Sequence, residues 1–199
     1  MIVQLWHAVV TTDPLEGVAV LLGIAYVLLI LKRNRLGWVA GGISSTIYIY
    51  LSVNAHLPMQ ATLQVYYVVM AVYGWRRWKP DQQAQAGGGI LRWPLRSHVI
   101  ALLAIVVLTL VSAQLLARET HAAWPYLDSF TTWVSLLATW MTTRMALENW
   151  LYWMGADAIT AWLFAAQGHP TAALLFVTYL FIAVFGFREW LNLYRQAPA

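Results

Sequence analysis

Residues 71–78 read Ala-Val-Tyr-Gly-Trp-Arg-Arg-Trp, and 112 positions later residues 183–190 read Ala-Val-Phe-Gly-Phe-Arg-Glu-Trp. The offset holds upstream without a gap. Trp38 falls on Trp150, Leu51 on Leu163, Pro58 on Pro170, Ala61 on Ala173, Leu63 on Leu175, Val65 on Val177 and Tyr67 on Tyr179. Even the acidic Glu16 falls on the acidic Asp128. The chain is a duplicated unit, 15–78 and 127–190, and each copy holds three hydrophobic spans. Any fold it adopts has to use one three-span plan twice.

The setting follows from composition. Of 199 residues, 61% are hydrophobic and only 10% charged, with a mean hydropathy of +0.62. A soluble domain carries about a quarter charged residues, so this chain lacks the means to cover a water-facing surface. A single helical domain in a bilayer is expected. The absence of cysteine excludes disulfides and thiolate metal sites. His7, His56, His98, His121 and His169 are scattered without metal-ligand spacing, and no cofactor is expected. No basic segment precedes an apolar stretch at the start, so no cleaved signal peptide is expected.

Runs of about the spanning length lie near 15–31, 36–53, 57–75, 97–117, 127–145, 149–167 and 170–187. The stretch 76–96 between the repeats, with its glutamines and Gly87-Gly88-Gly89, reads as a flexible loop. Of the 12 lysines and arginines, all but Arg118 fall on one side of this arrangement. That placement explains the net charge of +4 without nucleic acid. By the positive-inside rule it predicts an external N-terminus (1–14) and a cytoplasmic C-terminus (191–199). Residues 79–126 then hold a cytoplasmic loop and a linker helix. One span between two three-span repeats gives both repeats the same sense in the membrane. They are parallel repeats, related by an axis along the membrane normal, and the fold class is all-α integral membrane with seven spans as 3+1+3. Repeats of this kind are common among transporters, which place the substrate near the midplane at the repeat interface.

Polar groups in hydrocarbon are costly and need a reason. In span six, Trp150, Trp153 and Asp157 are spaced i, i+3, i+7, on one helix face, with Asp157 near the middle of the span. Two indoles and a carboxylate suit a flat, cationic aromatic ligand: the rings stack and the carboxylate supplies the counter-charge. The competing reading makes the tryptophans packing or interface anchors and Asp157 an acceptor for a neighbouring helix. In span three, Gln60, Gln64 and Tyr67 form a second stripe, whose amides suit ribose hydroxyls or a carboxamide. Here the competing reading is interhelical hydrogen bonding. The copies differ on these stripes: Trp38, Gly41 and Ser45 stand opposite the first, and Ala172, Phe176 and Tyr179 opposite the second. A pseudo-symmetric pathway for an asymmetric molecule needs such divergence. Arg144 and Glu148, four apart, are expected to pair. Glu16 and Asp128 suit helix N-termini, with Ser129 as a helping cap.

The run Glu148-Asn149-Trp150-x-x-Trp153-x-x-x-Asp157, with Leu63-Gln64-Val65, Tyr73-Gly74-Trp75 and the Asp128-Ser129 … Thr143-Arg144 bounds of span five, resembles the PnuC family of bacterial inner-membrane vitamin transporters. The resemblance covers about 15–190. It implies a SWEET-like arrangement and facilitated diffusion of nicotinamide riboside, with trapping by a cytoplasmic kinase. It also implies substrate contact by the motif's tryptophans and the span-three glutamine, and adds Asn149 to the candidates. Some members carry Asn where Asp157 stands, and related branches carry thiamine, riboflavin or deoxynucleosides. Oligomeric state is left open, a homo-oligomer included.

Other classes fare worse. A retinal protein needs a lysine in its last span, and Lys32 and Lys79 lie in loops. An intramembrane enzyme would show a metal motif, a nucleophile elbow or facing aspartates, none of which is present. Proton coupling usually uses several buried carboxylates or histidines, and Asp157 is the one deep carboxylate, so no ion coupling is expected.

Overall fold

The computed structural model describes residues 13–56, 58–79, 89–119 and 124–196. Among them run seven helices: α1 (Pro14–Leu31), α2 (Leu36–Asn54), α3 (Pro58–Arg77), α4 (Leu95–Glu119), α5 (Pro125–Thr143), α6 (Asn149–Ala166) and α7 (Pro170–Arg195). Proline occupies the start of α1, α5 and α7, where a missing N–H costs nothing and φ is preset. Asp13 caps α1 by accepting from Leu15 N–H at 2.8 Å. Ser129 lies inside α5 rather than at its cap; Trp124 holds that position and caps without its side chain. The expected external N-terminus and glutamine- and glycine-rich loop fall largely on 1–12 and 80–88, outside the described residues.

Among the described residues four helices are long and apolar enough to cross a bilayer: α1, α2, α4 and α7, with mean hydropathies of 2.3, 1.3, 2.7 and 2.0. The others are more polar, and α5 buries five of its polar residues, Ser129, Thr131, Thr139, Thr142 and Thr143. By contrast α4 exposes an apolar face including Leu95, Ile100, Leu103, Val107 and Leu115. Helix α7 runs on to Arg195, past the expected end of span seven at 187, so Arg188 lies within the helix.

The chain divides into two compact units, Met1–Gly89 and Ile90–Ala199. In the first, α1 packs on α2 and α2 on α3; in the second, α4 packs on α5, α5 on α6 and α6 on α7. The two share internal details at the sequence offset. Left-handed backbone occurs at Arg33 (φ 53°) and Met145 (φ 53°), and again at His56 (φ 56°) and Gly168 (φ 78°). Both inner corners close by the same bond, Asn34 N–H to Leu29 O at 2.7 Å and Ala146 N–H to Met141 O at 3.1 Å. Trp38 lies against Gly74 and meets Trp78 edge-to-face at 5.4 Å; Trp150 lies against Gly186 and meets Trp190 at 5.5 Å. In the first unit a tryptophan of α2 fills the gap that a glycine leaves in α3, and in the second a tryptophan of α6 does the same for α7.

One feature belongs to the second unit. Leu91 N–H donates to Met145 O at 3.0 Å, and Leu91 O accepts from Leu147 N–H at 2.8 Å, fixing the segment before α4 to the α5–α6 corner. The Glu148 carboxylate accepts from Arg92 Nε at 3.1 Å and Trp93 N–H at 3.2 Å. The expected Arg144–Glu148 pair is therefore not formed. Helix α5 ends at Thr143 and Met145 turns left-handed, which breaks the i, i+4 geometry; Arg144 instead lies over the Trp140 ring at 4.8 Å. Glu148→Ala is expected to cost about 1–3 kcal/mol, since Trp93 N–H loses its acceptor. Arg92→Ala should cost less than about 1 kcal/mol, because its side chain is 57% exposed. Thermal unfolding in detergent reads the difference, and equal losses would contradict it.

Candidate functional site

The turn that enters α6 places its first residues by hydrogen bonds. Asn149 is fully buried, and its Nδ2 donates to Ala146 O at 2.6 Å, which turns Oδ1 toward α5. There Thr142 Oγ1, also buried, lies 3.0 Å from Asn149 Oδ1 and 2.8 Å from Ala138 O. A hydroxyl has one proton to share between these acceptors and keeps lone pairs for a donor. Trp153 Nε1 is that donor, at 3.4 Å. Asn149 thus ties one helix to the next instead of presenting its amide at a surface.

The proposed stripe on α6 splits. Trp150 is 2% exposed and seated between Gly186 and Trp190, and its indole N–H finds no acceptor among the described residues. Trp153 turns the other way, toward the end of α5, and remains half-buried. One helical turn further, Asp157 is 5% exposed, and among the described residues no hydrogen bond or ion pair reaches it. A buried carboxylate within a span is costly, which keeps Asp157 among the candidates.

The α3 stripe belongs to the first unit. Gln64 is buried and, among the described residues, makes no hydrogen bond. Gln60, one turn earlier, is exposed. Tyr67 is half-buried, its ring 5.8 Å from that of Tyr66. The position equivalent to Gln64 in the second unit is Phe176, stacked on Phe164 at 5.5 Å. The candidates therefore fall in two groups: Gln60, Gln64 and Tyr67 in one unit, and Asn149, Trp150, Trp153 and Asp157 in the other.

Sequence reasoning missed Thr142, because a threonine near a helix end looks like packing. The repeat offered the signal: its equivalent is Ile30, an exchange of apolar for polar at a buried position. The described lysines and arginines lie at helix ends, in connections or, for Arg188, in the last turns of α7; none sits in the middle of a helix.

A family model described as Nicotinamide mononucleotide transporter matches residues 13–192. The Nicotinamide riboside transporter PnuC of Escherichia coli is 24% identical over 92% of this chain and 87% of its own length. The protein of that name from Haemophilus influenzae is 25% identical over 98% and 88%. The Riboflavin/roseoflavin transporter RibM of Streptomyces davaonensis is 25% identical over 85% and 81%. Among solved structures, the Vitamin B3 transporter PnuC aligns with a TM-score of 0.73 at 25% identity, over 92% of this chain and 83% of that one. With the four apolar helices, these relatives identify a multi-pass membrane protein and a transporter rather than an enzyme.

Proposed function

Because the chain belongs to the nicotinamide mononucleotide transporter family, we propose that it carries nicotinamide riboside into the cell by facilitated diffusion. The single observation behind this reading is Asp157, a buried carboxylate without a partner among the described residues, on the helix face that also holds Trp153. A pyridinium riboside is planar and cationic: Trp153 stacks on the ring, and Asp157 supplies the counter-charge. In the first unit Gln64 is a buried amide whose groups suit a ribose hydroxyl or a carboxamide, with Gln60 one turn before it and Tyr67 one turn after. Trp150 and Asn149 serve as scaffold.

The same reading takes the seven helices as 3+1+3 parallel repeats of SWEET-like type, working by alternating access in the inner membrane. The helix bounds and left-handed corners that recur at the offset support it. The one-sided Lys and Arg distribution supports an external N-terminus and a cytoplasmic C-terminus. Trapping falls to a cytoplasmic kinase. The relatives named for the riboside favour it over the mononucleotide. So does charge, because a phosphate in the pathway would want a basic group there and no helix middle supplies one.

Purified protein in liposomes is expected to take up labelled riboside down its gradient and to take up the mononucleotide at background rate. Strong mononucleotide uptake would overturn the selectivity, and accumulation driven by an imposed pH gradient would overturn facilitated diffusion. Riboflavin uptake without riboside uptake would move the protein toward the riboflavin transporter among its relatives.

A further inference from the structure

We infer that Thr142 and Asn149 are positioning residues whose task is to fix the indole of Trp153 for the ligand; this rests on the site reading above. The chain carries a second copy of the same corner. At the positions of Thr142, Asn149, Trp153 and Ala138, the first unit has Ile30, Gly37, Gly41 and Tyr26. There Ile30 is buried against Gly37, where an added methyl would lie 3.1 Å from Ile30 Cδ1. The Tyr26 ring covers Gly41, 2.8 Å from where a methyl would stand.

The two units thus build one corner with opposite choices. In the first unit the aromatic ring comes from the first helix and lies over a glycine of the second. In the second unit the ring comes from α6, as Trp153, and α5 gives way with Ala138. The left-handed residue and the closing hydrogen bond are the same in both. The apolar version therefore suffices for the fold. A buried threonine–asparagine pair loses hydration and is worth keeping only when fully bonded, and its bonds lead to Trp153 Nε1. A ring held by its edge has one plane to offer a stacking ligand.

The test measures nicotinamide riboside affinity by calorimetry alongside unfolding temperature. Thr142→Val keeps the shape and loses the oxygen; it is expected to weaken binding roughly 5-fold and, because the buried Asn149 Oδ1 loses its donor, to lower the unfolding temperature by a few degrees. Thr142→Ser should restore wild-type affinity. The double change Thr142→Ile with Asn149→Gly rebuilds the first unit's apolar corner, and should remain folded while binding weakly. Wild-type affinity in Thr142→Val and in the double change, with Trp153→Ala still defective, would overturn the positioning role and leave the site reading intact. Wild-type affinity in Trp153→Ala would overturn the site reading, and this inference with it.

Discussion

Gly186→Ala is expected to cost about 2–3 kcal/mol and to lower the unfolding temperature by roughly 5–10 °C. The added methyl would lie 2.7 Å from three ring atoms of Trp150, itself 2% exposed and met edge-to-face by Trp190 one turn along α7. The ring has nowhere to go, so α6 and α7 have to part. Gly74→Ala should behave alike, because its methyl would run into the Trp38 ring in the other unit. Gly155→Ala is the control: nothing lies within 4 Å of the added carbon, and the change should be neutral or stabilise by about 0.5–1 kcal/mol. Were Gly186→Ala to unfold at the wild-type temperature while losing affinity for the riboside, Trp150 would be mobile and would return to the ligand's side of the ledger.

Asp157→Asn is expected to weaken nicotinamide riboside about 100-fold, since removing one partner of a desolvated ion pair costs about 3 kcal/mol or more. Thiamine, also cationic, would suffer alike, and uncharged riboflavin would not. The stability of the ligand-free protein separates this role from a structural one. An unpaired buried carboxylate opposes folding, so the amide should leave the unfolding temperature unchanged or raise it. A drop of several degrees with affinity unchanged would make Asp157 a structural acceptor between helices.

Much of the architecture was legible because hydrophobic length and a duplicated chain are one-dimensional signals. The helices begin within about two residues of the expected spans, and Pro58 and Pro170 open the third helix of each copy as the sequence suggests. Helix α7 outran its span because Phe187-Arg188-Glu189-Trp190 still suits a helix after hydropathy falls, and length alone did not reveal that. The glycine–tryptophan contacts were half visible: the residues repeat, but their meeting depends on two helices crossing there. Side-chain direction was the least legible part. Spacing put Trp150 and Trp153 on one face, yet the first packs on α7 and the second bonds to α5. The Arg144–Glu148 expectation failed for a related reason. Four residues apart is a contact only while the helix continues, and here it stops between them. Asp157 and Gln64 stood out as candidates because polarity within an apolar run is visible in any order.

The most direct measurement is calorimetric titration of the purified protein with nicotinamide riboside, thiamine and riboflavin, repeated with Trp153→Ala. Saturable riboside binding is expected, tighter than either competitor and at least 10-fold weaker in Trp153→Ala, by about 1.4 kcal/mol or more. Riboflavin binding with no heat from the riboside, or riboside affinity untouched by the loss of Trp153, would contradict it.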